Sequence, residues 1–360
     1  AEEIETPGPG QVRALITVAG NPVLSSPGGA RLARALDGLD FMVSLDIYVN
    51  ETTRHADVIL PGPSALEDSH YDVPFPQFSF RNHARYSGPV FAPPPGQPAE
   101  WESLLRLAAI AKGLGAGADI DALDDALLAD EVRKFAGNQT DAVLQALAGR
   151  RGPERLLDLA LRSGPYGDGF GRQPQGLTLD RVQAAPGGID LGPLQPRLPE
   201  ALRTPSGRIE LAPPALLADL PRALAELAEL APPLVVIGRR DVRSNNSWMH
   251  NLPLLAKGPF RGTAQMHPDD AARAGVADGA RARLAGPGGS VEVTVEISTA
   301  LMPGVVSLPH GWGHDLPGAR LALAAERPGA NLNALLDDAA RDPLSGNAVL
   351  SGVAVTLAPA

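Results

Sequence analysis

Three short apolar runs open the chain: residues 14–19 (ALITVA), Phe41–Leu45 (FMVSL) and residues 57–60 (DVIL). Rich in Val, Ile and Leu and closed by polar or turn residues, they read as buried strands. Gly29–Leu36 (GARLARAL), between the first two, has apolar positions at helical spacing, and residues 51–56 fill the second gap. The alternation strand, helix, strand, helix, strand predicts a parallel α/β sheet, in which ligands sit in the crevice outside the carboxyl ends of the strands. At those ends stand Gly20-Asn21-Pro22, then Asp46 with residues 48–53, then residues 61–67. No G-x-G-x-x-G motif accompanies them, so an ordinary NAD-type site is not predicted.

Residues 99–113 place Trp101, Leu104, Leu105 and Ala108 on one helical face, and helical material continues over 120–135 and 140–161, with Asp121 and Thr140 as caps. Residues 163–233 are Gly/Pro-rich and read as an irregular surface connection holding one helix near 214–230 and a short strand at 208–211. The pattern then changes. An apolar strand at 234–237 is followed by a helix at 268–274 with Asp269 and Asp270 in its first turn, where carboxylates suit the helix dipole. Residues 281–285, the turn Gly286-Pro287-Gly288-Gly289 and residues 291–297 form a hairpin, because Val291, Val293, Val295 and Ile297 alternate with Glu292, Thr294 and Glu296. Further strands at 305–308 and 349–357 complete a mostly β, barrel-like region. The predicted division is an α/β domain with a helical extension over 1–162, an irregular connection over 163–232 and the β domain over 233–360.

Composition narrows the chemistry. The 360 residues, 44% of them hydrophobic, are enough for about two domains with real cores. There is no cysteine, which excludes disulfides, thiolate zinc sites, cysteine-ligated iron–sulfur clusters and a cysteine nucleophile within the chain. The net charge of -10 argues against general nucleic-acid binding, which needs clustered Lys and Arg. Lys112, Lys134 and Lys257 are the only lysines, so the positive charge is nearly all arginine. The most apolar stretch, 212–238, is broken by Asp219, Arg222, Glu226, Glu229 and prolines, so no membrane span is predicted. The acidic start, Ala-Glu-Glu-Ile-Glu, does not look like a signal peptide, and a cytoplasmic location is the expectation.

Several segments, in order along the chain, resemble the C-terminal half of the molybdopterin oxidoreductases of the dimethyl sulfoxide reductase family. They are Ala19-Gly20-Asn21-Pro22, then Val43-Ser44-Leu45-Asp46 through Asn50-Glu51-Thr52-Thr53 to residues 56–61, with Glu67, and Thr204-Pro205-Ser206-Gly207-Arg208-Ile209-Glu210-Leu211. In the last region are Gly238-Arg239-Arg240, residues 246–251 (NSWMHN), 267–271 (HPDDA), 308–313 (LPHGWG), Asn331-Leu332-Asn333 and 342–346 (DPLSG). The resemblance implies a Rossmann-like domain that carries one guanosine arm of a bis-pterin molybdenum or tungsten cofactor, closed by a C-terminal double-psi β-barrel. It also implies that any iron–sulfur cysteines and the metal-ligating side chain lie in an N-terminal half that this chain lacks. The expectation is therefore a cofactor-binding portion, inactive alone, whose partners are that missing half and an electron-transfer subunit. The alternatives are a non-catalytic scaffold subunit descended from such an enzyme and a free-standing guanine-nucleotide or pterin carrier.

The candidate residues each have a physical rationale and a plainer competitor. Gly20 permits close backbone approach, and Asn21 before Pro22 can donate and accept to a nucleotide, or simply make a turn. Asp46 can accept from guanine N1–H and its exocyclic amine, or cap the helix expected near Glu51. Thr52 either supports this loop or caps that helix. Arg239 offers a guanidinium fork to pyrophosphate or pterin oxygens, and Arg240 either the same or a surface ion pair. Asn246, Ser247 and Trp248, with Asn245 and His250, form a dense polar and aromatic cluster suited to lining a ligand. His310 and His314 are four apart, but Gly311-Trp312-Gly313 between them makes a helix, and hence a zinc pair, a poor reading. The resemblance puts His310 and Gly311 in a loop against the pterin, while His314 reads as structural. Asn331 and Asn333 match the mixed edge of a pterin ring, or make local turns.

Overall fold

A computed structural model describes residues 1–360 as two compact units, one made of Ala1–Pro61 with Ile209–Ala360 and the other of Gly62–Arg208. In the first unit the three predicted strands form: β1 (Ala14–Val18), β2 (Phe41–Leu45) and β3 (Val58–Leu60), parallel and in the order β1–β2–β3. Gly29–Leu36 is a helix, as its spacing predicts. The second crossover is not: residues 51–56 contain only a single 3-10 turn, Thr53–His55. Asn50 Oδ1 accepts from the backbone N–H groups of both Thr52 and Thr53, which ties the segment into a tight turn and leaves no room for a helix. Burial also departs from expectation. Only β2 is buried along most of its length, whereas Ile16, Val18 and Val58 are exposed, because β1 and β3 are the edges of a three-stranded sheet.

The second unit is mostly helical, with the helices Glu100–Ala111, Ile120–Ala136, Thr140–Ala146 and Gly152–Ser163. The single helix expected over 140–161 is divided over residues 147–151, where Gly149 takes positive φ, and the next helix opens on Gly152, also at positive φ. Leu128, Val132, Val143, Leu147 and Leu159 pack together as one cluster. Four short strands accompany them: β4 (His70–Tyr71), β5 (Arg81–Ala84), β6 (Tyr86–Ser87) and β7 (Ile189–Pro193), pairing as β4–β6 and β5–β7. The stretch predicted to be irregular is thus partly built. Leu177, Leu179 and Val182 form a buried cluster with Ala84 and Leu161.

The chain then returns to the first unit. The helix Pro214–Ala228 forms near its expected place and buries none of its residues, while residues 208–211 are not a strand. β8 (Val235–Arg239), β9 (Ala264–Met266), β10 (Arg281–Gly286), β11 (Gly289–Ile297), β12 (Val305–Pro309), β13 (Val353–Ala354) and β14 (Thr356–Pro359) make one curled sheet in the order β13–β8–β12–β9–β11–β10–β14. The alternation in β11 is real: Val293 and Val295 are buried, facing Val236, Met266, Leu284, Val306 and Leu308 in one core with Leu332 and Leu335. No helix is long and apolar enough to cross a membrane.

Candidate nucleotide cleft and its buried support

The carboxyl ends of β1 and β2 carry the first part of the site. Asn21 follows β1 and is buried, just after Ala19, a non-glycine residue held at φ 50°. A left-handed alanine costs about 1–2 kcal/mol relative to ordinary backbone. That strain sits at the strand end where ligands of such sheets bind. Asp46 follows β2 and is buried, its Oδ1 accepting from Tyr48 N at 3.0 Å and its Oδ2 from Asn50 Nδ2 at 2.9 Å. Burial pushes the Asp46 carboxyl above its ordinary value, against the hydrogen bonds from Tyr48 and Asn50. Capping of the 3-10 turn falls to Asn50, so Asp46 is free of that role. Thr52 links the two strand ends: its hydroxyl donates to Asn21 Oδ1 at 2.8 Å and accepts from Val23 N at 3.0 Å.

From the barrel side comes the loop after β8. Asn21, Asp46, Tyr48, Asn50, Ser247, Trp248 and Leu321 line one narrow cleft of about 20 Å³, closed on one side by the partly exposed Trp248. Asn246 does not line it but precedes Ser247, with φ 62°, and accepts from Arg240 Nη1. Gly311 fixes that loop from behind. At φ 89° it packs so closely that an added Cβ would stand 1.9 Å from the Asn246 carbonyl oxygen.

Other expected residues lie elsewhere. Arg239 turns into the barrel, where Nη1 donates to Ser307 O at 3.0 Å and Nη2 to Thr263 O at 2.9 Å. Gly20 and Pro22 flank Asn21, with Pro22 opening a one-turn helix. His310 sits at the end of β12, its backbone N–H bound to Arg239 O, and its imidazole is pushed below its ordinary value by burial and by Arg240. Asn331 lines a separate, wider cleft beside Arg34 and Glu292, and its side chain caps the turn Leu332–Leu335 through Asn333 N. Asn333 is buried and donates to Leu24 O at 2.9 Å, fastening the barrel to the parallel-sheet segment. No group of three or more His, Asp or Glu side chains is arranged to hold a metal ion.

The structure adds residues that sequence reasoning passed over. Glu51, fully buried, accepts from Asn21 Nδ2 at 2.7 Å with Oε2 and contacts His314 Nδ1 at 2.9 Å with Oε1. His314 Nε2 lies 2.9 Å from His250 Nδ1, and His250 Nε2 lies 2.8 Å from Ser244 Oγ. Burial opposes ionisation of Glu51, yet the His314 and Asn21 hydrogen bonds outweigh it and hold the carboxyl below its ordinary value. Burial, with His314 beside it, pushes the His250 imidazole down to about 4 from 6.5.

Both shifts make the fold acid-sensitive. His250 binds its proton near 6.5 when unfolded but only near 4 when folded, so its contribution is complete above the unfolded value and is lost as pH falls between the two. That window is worth about 3 kcal/mol at 1.36 kcal/mol per pH unit. The Glu51 contribution has the same sign, lost as pH falls through and below the ordinary carboxylate range. Urea unfolding at pH 7.5 and pH 4.5 is expected to show the loss; equal midpoints would contradict it.

Comparison with known proteins matches both ends of the chain. Residues 234–354 match the family described as molydopterin dinucleotide binding domain, and residues 1–74 match molybdopterin oxidoreductase. The chain is 40% identical over 67 residues to the assimilatory nitrate reductase catalytic subunit of Bacillus subtilis, which is 19% of this chain and 9% of that protein. It is 27% identical over 293 residues to a Halobacterium salinarum protein assigned as the catalytic chain of a dimethyl sulfoxide reductase, covering 79% of this chain and 31% of the relative. Acetylene hydratase from Pelobacter acetylenicus shares the fold, with a TM-score of 0.65 over 99% of this chain and 45% of the hydratase at 18% identity. The chain therefore spans less than half the length of each of these relatives. The two family matches and the named relatives support placing the chain among the molybdopterin oxidoreductases, with a molydopterin dinucleotide binding domain over residues 234–354.

Proposed function

We propose that this chain is the C-terminal, cofactor-embracing part of a molybdopterin oxidoreductase and that it grips the guanosine end of a molybdopterin guanine dinucleotide. The observation that carries the reading is the convergence of Asn21, Asp46, Asn50, Ser247 and Trp248 on one cleft, drawn from two strand ends and a barrel loop. The donor set fits the group. A carboxylate offers about four acceptor sites. Tyr48, Asn50 and the Ile47 backbone already bond Asp46, and its remaining acceptor capacity suits the two adjacent donors of guanine, N1–H and the exocyclic amine, better than adenine, whose N1 lone pair would face the carboxylate. Trp248, exposed at the rim, presents a ring on which a base can stack.

Under this reading β1–β3 are a partial Rossmann-like sheet and β8–β14 the double-psi barrel, with domain limits near 1–162, 163–232 and 233–360. His310, Gly311 and Asn331 belong to the pterin side, and Gly20, Pro22, Thr52, Arg239, Asn246 and Asn333 shape the surrounding loops. When bound, the molybdenum or tungsten pterin supplies the two-electron chemistry; the residues of this chain bind and orient it. An iron–sulfur cluster, a side-chain metal ligand, the N-terminal half and an electron-transfer subunit would come from outside these residues.

The nucleotide arm is testable alone. Calorimetric titration is expected to show GDP binding and ADP binding much more weakly. Asp46→Ala is expected to weaken GDP about tenfold or more, the loss of charge-assisted hydrogen bonds. Because burial raises the Asp46 pKa, GDP affinity should fall as pH drops through that raised value. Equal heats for GDP and ADP at millimolar ligand would remove the reading.

A further inference from the structure

Below the nucleotide cleft runs a continuous line of buried side chains: Asn21, Glu51, His314, His250 and Ser244, each 8% exposed or less. Its far end opens elsewhere. Ser244 and His250 line a second cleft, walled by Trp312 and Phe260, with His250 stacked on Trp312 at a centroid distance of 4.0 Å. We propose that Ser244, His250, His314 and Glu51 form a proton relay between the Trp312 cleft and the buried His314–Glu51 pair beneath the nucleotide cleft.

The argument begins with hydrogen-bond counting. An ionised carboxylate only accepts, so His314 must carry its proton on Nδ1 to satisfy Glu51 Oε1. His314 Nε2 is then an acceptor, which requires the proton of His250 on Nδ1. His250 Nε2 must in turn accept, and the Ser244 hydroxyl donates to it. In this arrangement each of the four hydrogen bonds to and between the two rings and Glu51 has one donor and one acceptor, and the group carries one negative charge.

One other arrangement also closes. A proton arriving from the cleft at His250 Nε2 releases the Nδ1 proton to His314 Nε2, and the chain becomes a neutral imidazolium–carboxylate pair. Ser244 then accepts from His250 instead of donating. No bond other than N–H and O–H is made or broken, and one proton enters for one negative charge lost. The reverse sequence discharges it. The two closed arrangements differ by one proton and by the direction of the Ser244–His250 and His250–His314 hydrogen bonds, while the bonds to Glu51 keep theirs, so a proton can pass along the two reversible links.

The surroundings favour the path. Burial keeps the His250 ring neutral at ordinary pH, so its Nε2 lone pair stays ready. No Arg or Lys side chain is paired with Glu51; Arg54 bonds only its backbone carbonyl, at 3.2 Å. The charged groups that face the chain are Asp241 beside His250 and, on the wall of the Trp312 cleft, Arg243, Lys257, Arg261, Arg327 and Glu326. The cations on that wall outnumber the acids, so a proton is disfavoured from resting at the mouth. As a route serving the cofactor cleft the relay rests on the reading above; as a proton path it can be tested on the chain alone.

The test is nitrogen-15 NMR of histidine-labelled protein across pH 8 to 4, which reads the tautomer of each ring without any ligand. At pH 8 both His250 and His314 should be protonated on Nδ1. As pH falls and the chain of groups takes up one proton, His250 should switch from Nδ1–H to Nε2–H at a single midpoint. Glu51→Gln removes the charge that draws the proton in and should lower that midpoint by about one pH unit or more. Ser244→Ala, a smaller change at the open end, should keep the midpoint and slow the exchange. The relay is overturned if His314 is Nε2-protonated at pH 8, or if His250 keeps its Nδ1–H tautomer down to pH 4. Failure of GDP to bind would leave this result intact, and the converse also holds.

Discussion

Glu51→Ala is expected to cost about 4 kcal/mol of folding stability, at roughly 1–3 kcal/mol for each of the buried donors left without an acceptor. Glu51 is fully buried and takes hydrogen bonds from His314 and Asn21, so its loss strands two buried donors at once. The damage then spreads in a defined direction. Asn21 keeps only its bond from Thr52, and the β1 strand end loses its anchor to the barrel. Glu51→Gln retains acceptor capacity toward His314 and should cost clearly less. Urea denaturation of the three proteins at pH 7.5 measures the order; an alanine variant as stable as the parent would mean that the line of buried groups is incidental.

Gly311→Ala should be comparably severe, about 4 kcal/mol, combining roughly 1–3 for an L-residue in the left-handed region with about 1–3 for overpacking. Gly311 has φ 89°, and the new Cβ would lie 1.9 Å from the carbonyl oxygen of Asn246 and 2.6 Å from its carbon. Neither is a flexible side-chain end, so backbone must move. The segment that moves is the one that delivers Ser247 and Trp248 to the nucleotide cleft. Affinity for GDP should therefore fall together with stability. Gly346→Ala is the control: φ there is also positive, 72°, but an added Cβ meets nothing, so only the conformational cost remains. Thermal melts and GDP titration of both variants distinguish close packing from mere backbone preference.

What the sequence discloses depends on the range of the interaction. The strands, the helix Gly29–Leu36 and the hairpin of β10 and β11 follow from local periodicity and turn residues, and they stand where that pattern puts them. Asn21 and Asp46 could be singled out because a parallel sheet presents its strand ends to ligands, and Ser247 and Trp248 because polar and aromatic density in a loop is unusual. The exposure of β1 and β3 was not legible, since an apolar run carries no record of how many neighbours flank it. Nor was the relay. Glu51 and His314 are separated by 263 positions, and each alone looks like an ordinary loop residue. His314 read as structural because its partners are supplied by another part of the chain. Gly311 had a place in a motif, but its reason, the contact with Asn246, exists only in three dimensions.

The central claim, that a guanine nucleotide sits between the strand ends and the barrel loop, is tested most directly by mapping where GDP binds. Nitrogen-15 chemical-shift perturbation on titrating GDP should concentrate at Asn21, Asp46, Asn50 and Ser247, with the Trp248 indole N–H moving in step and ADP causing little change. Perturbations confined to the cleft of Trp312 and Arg243, or no saturable perturbation at millimolar GDP, would contradict the account.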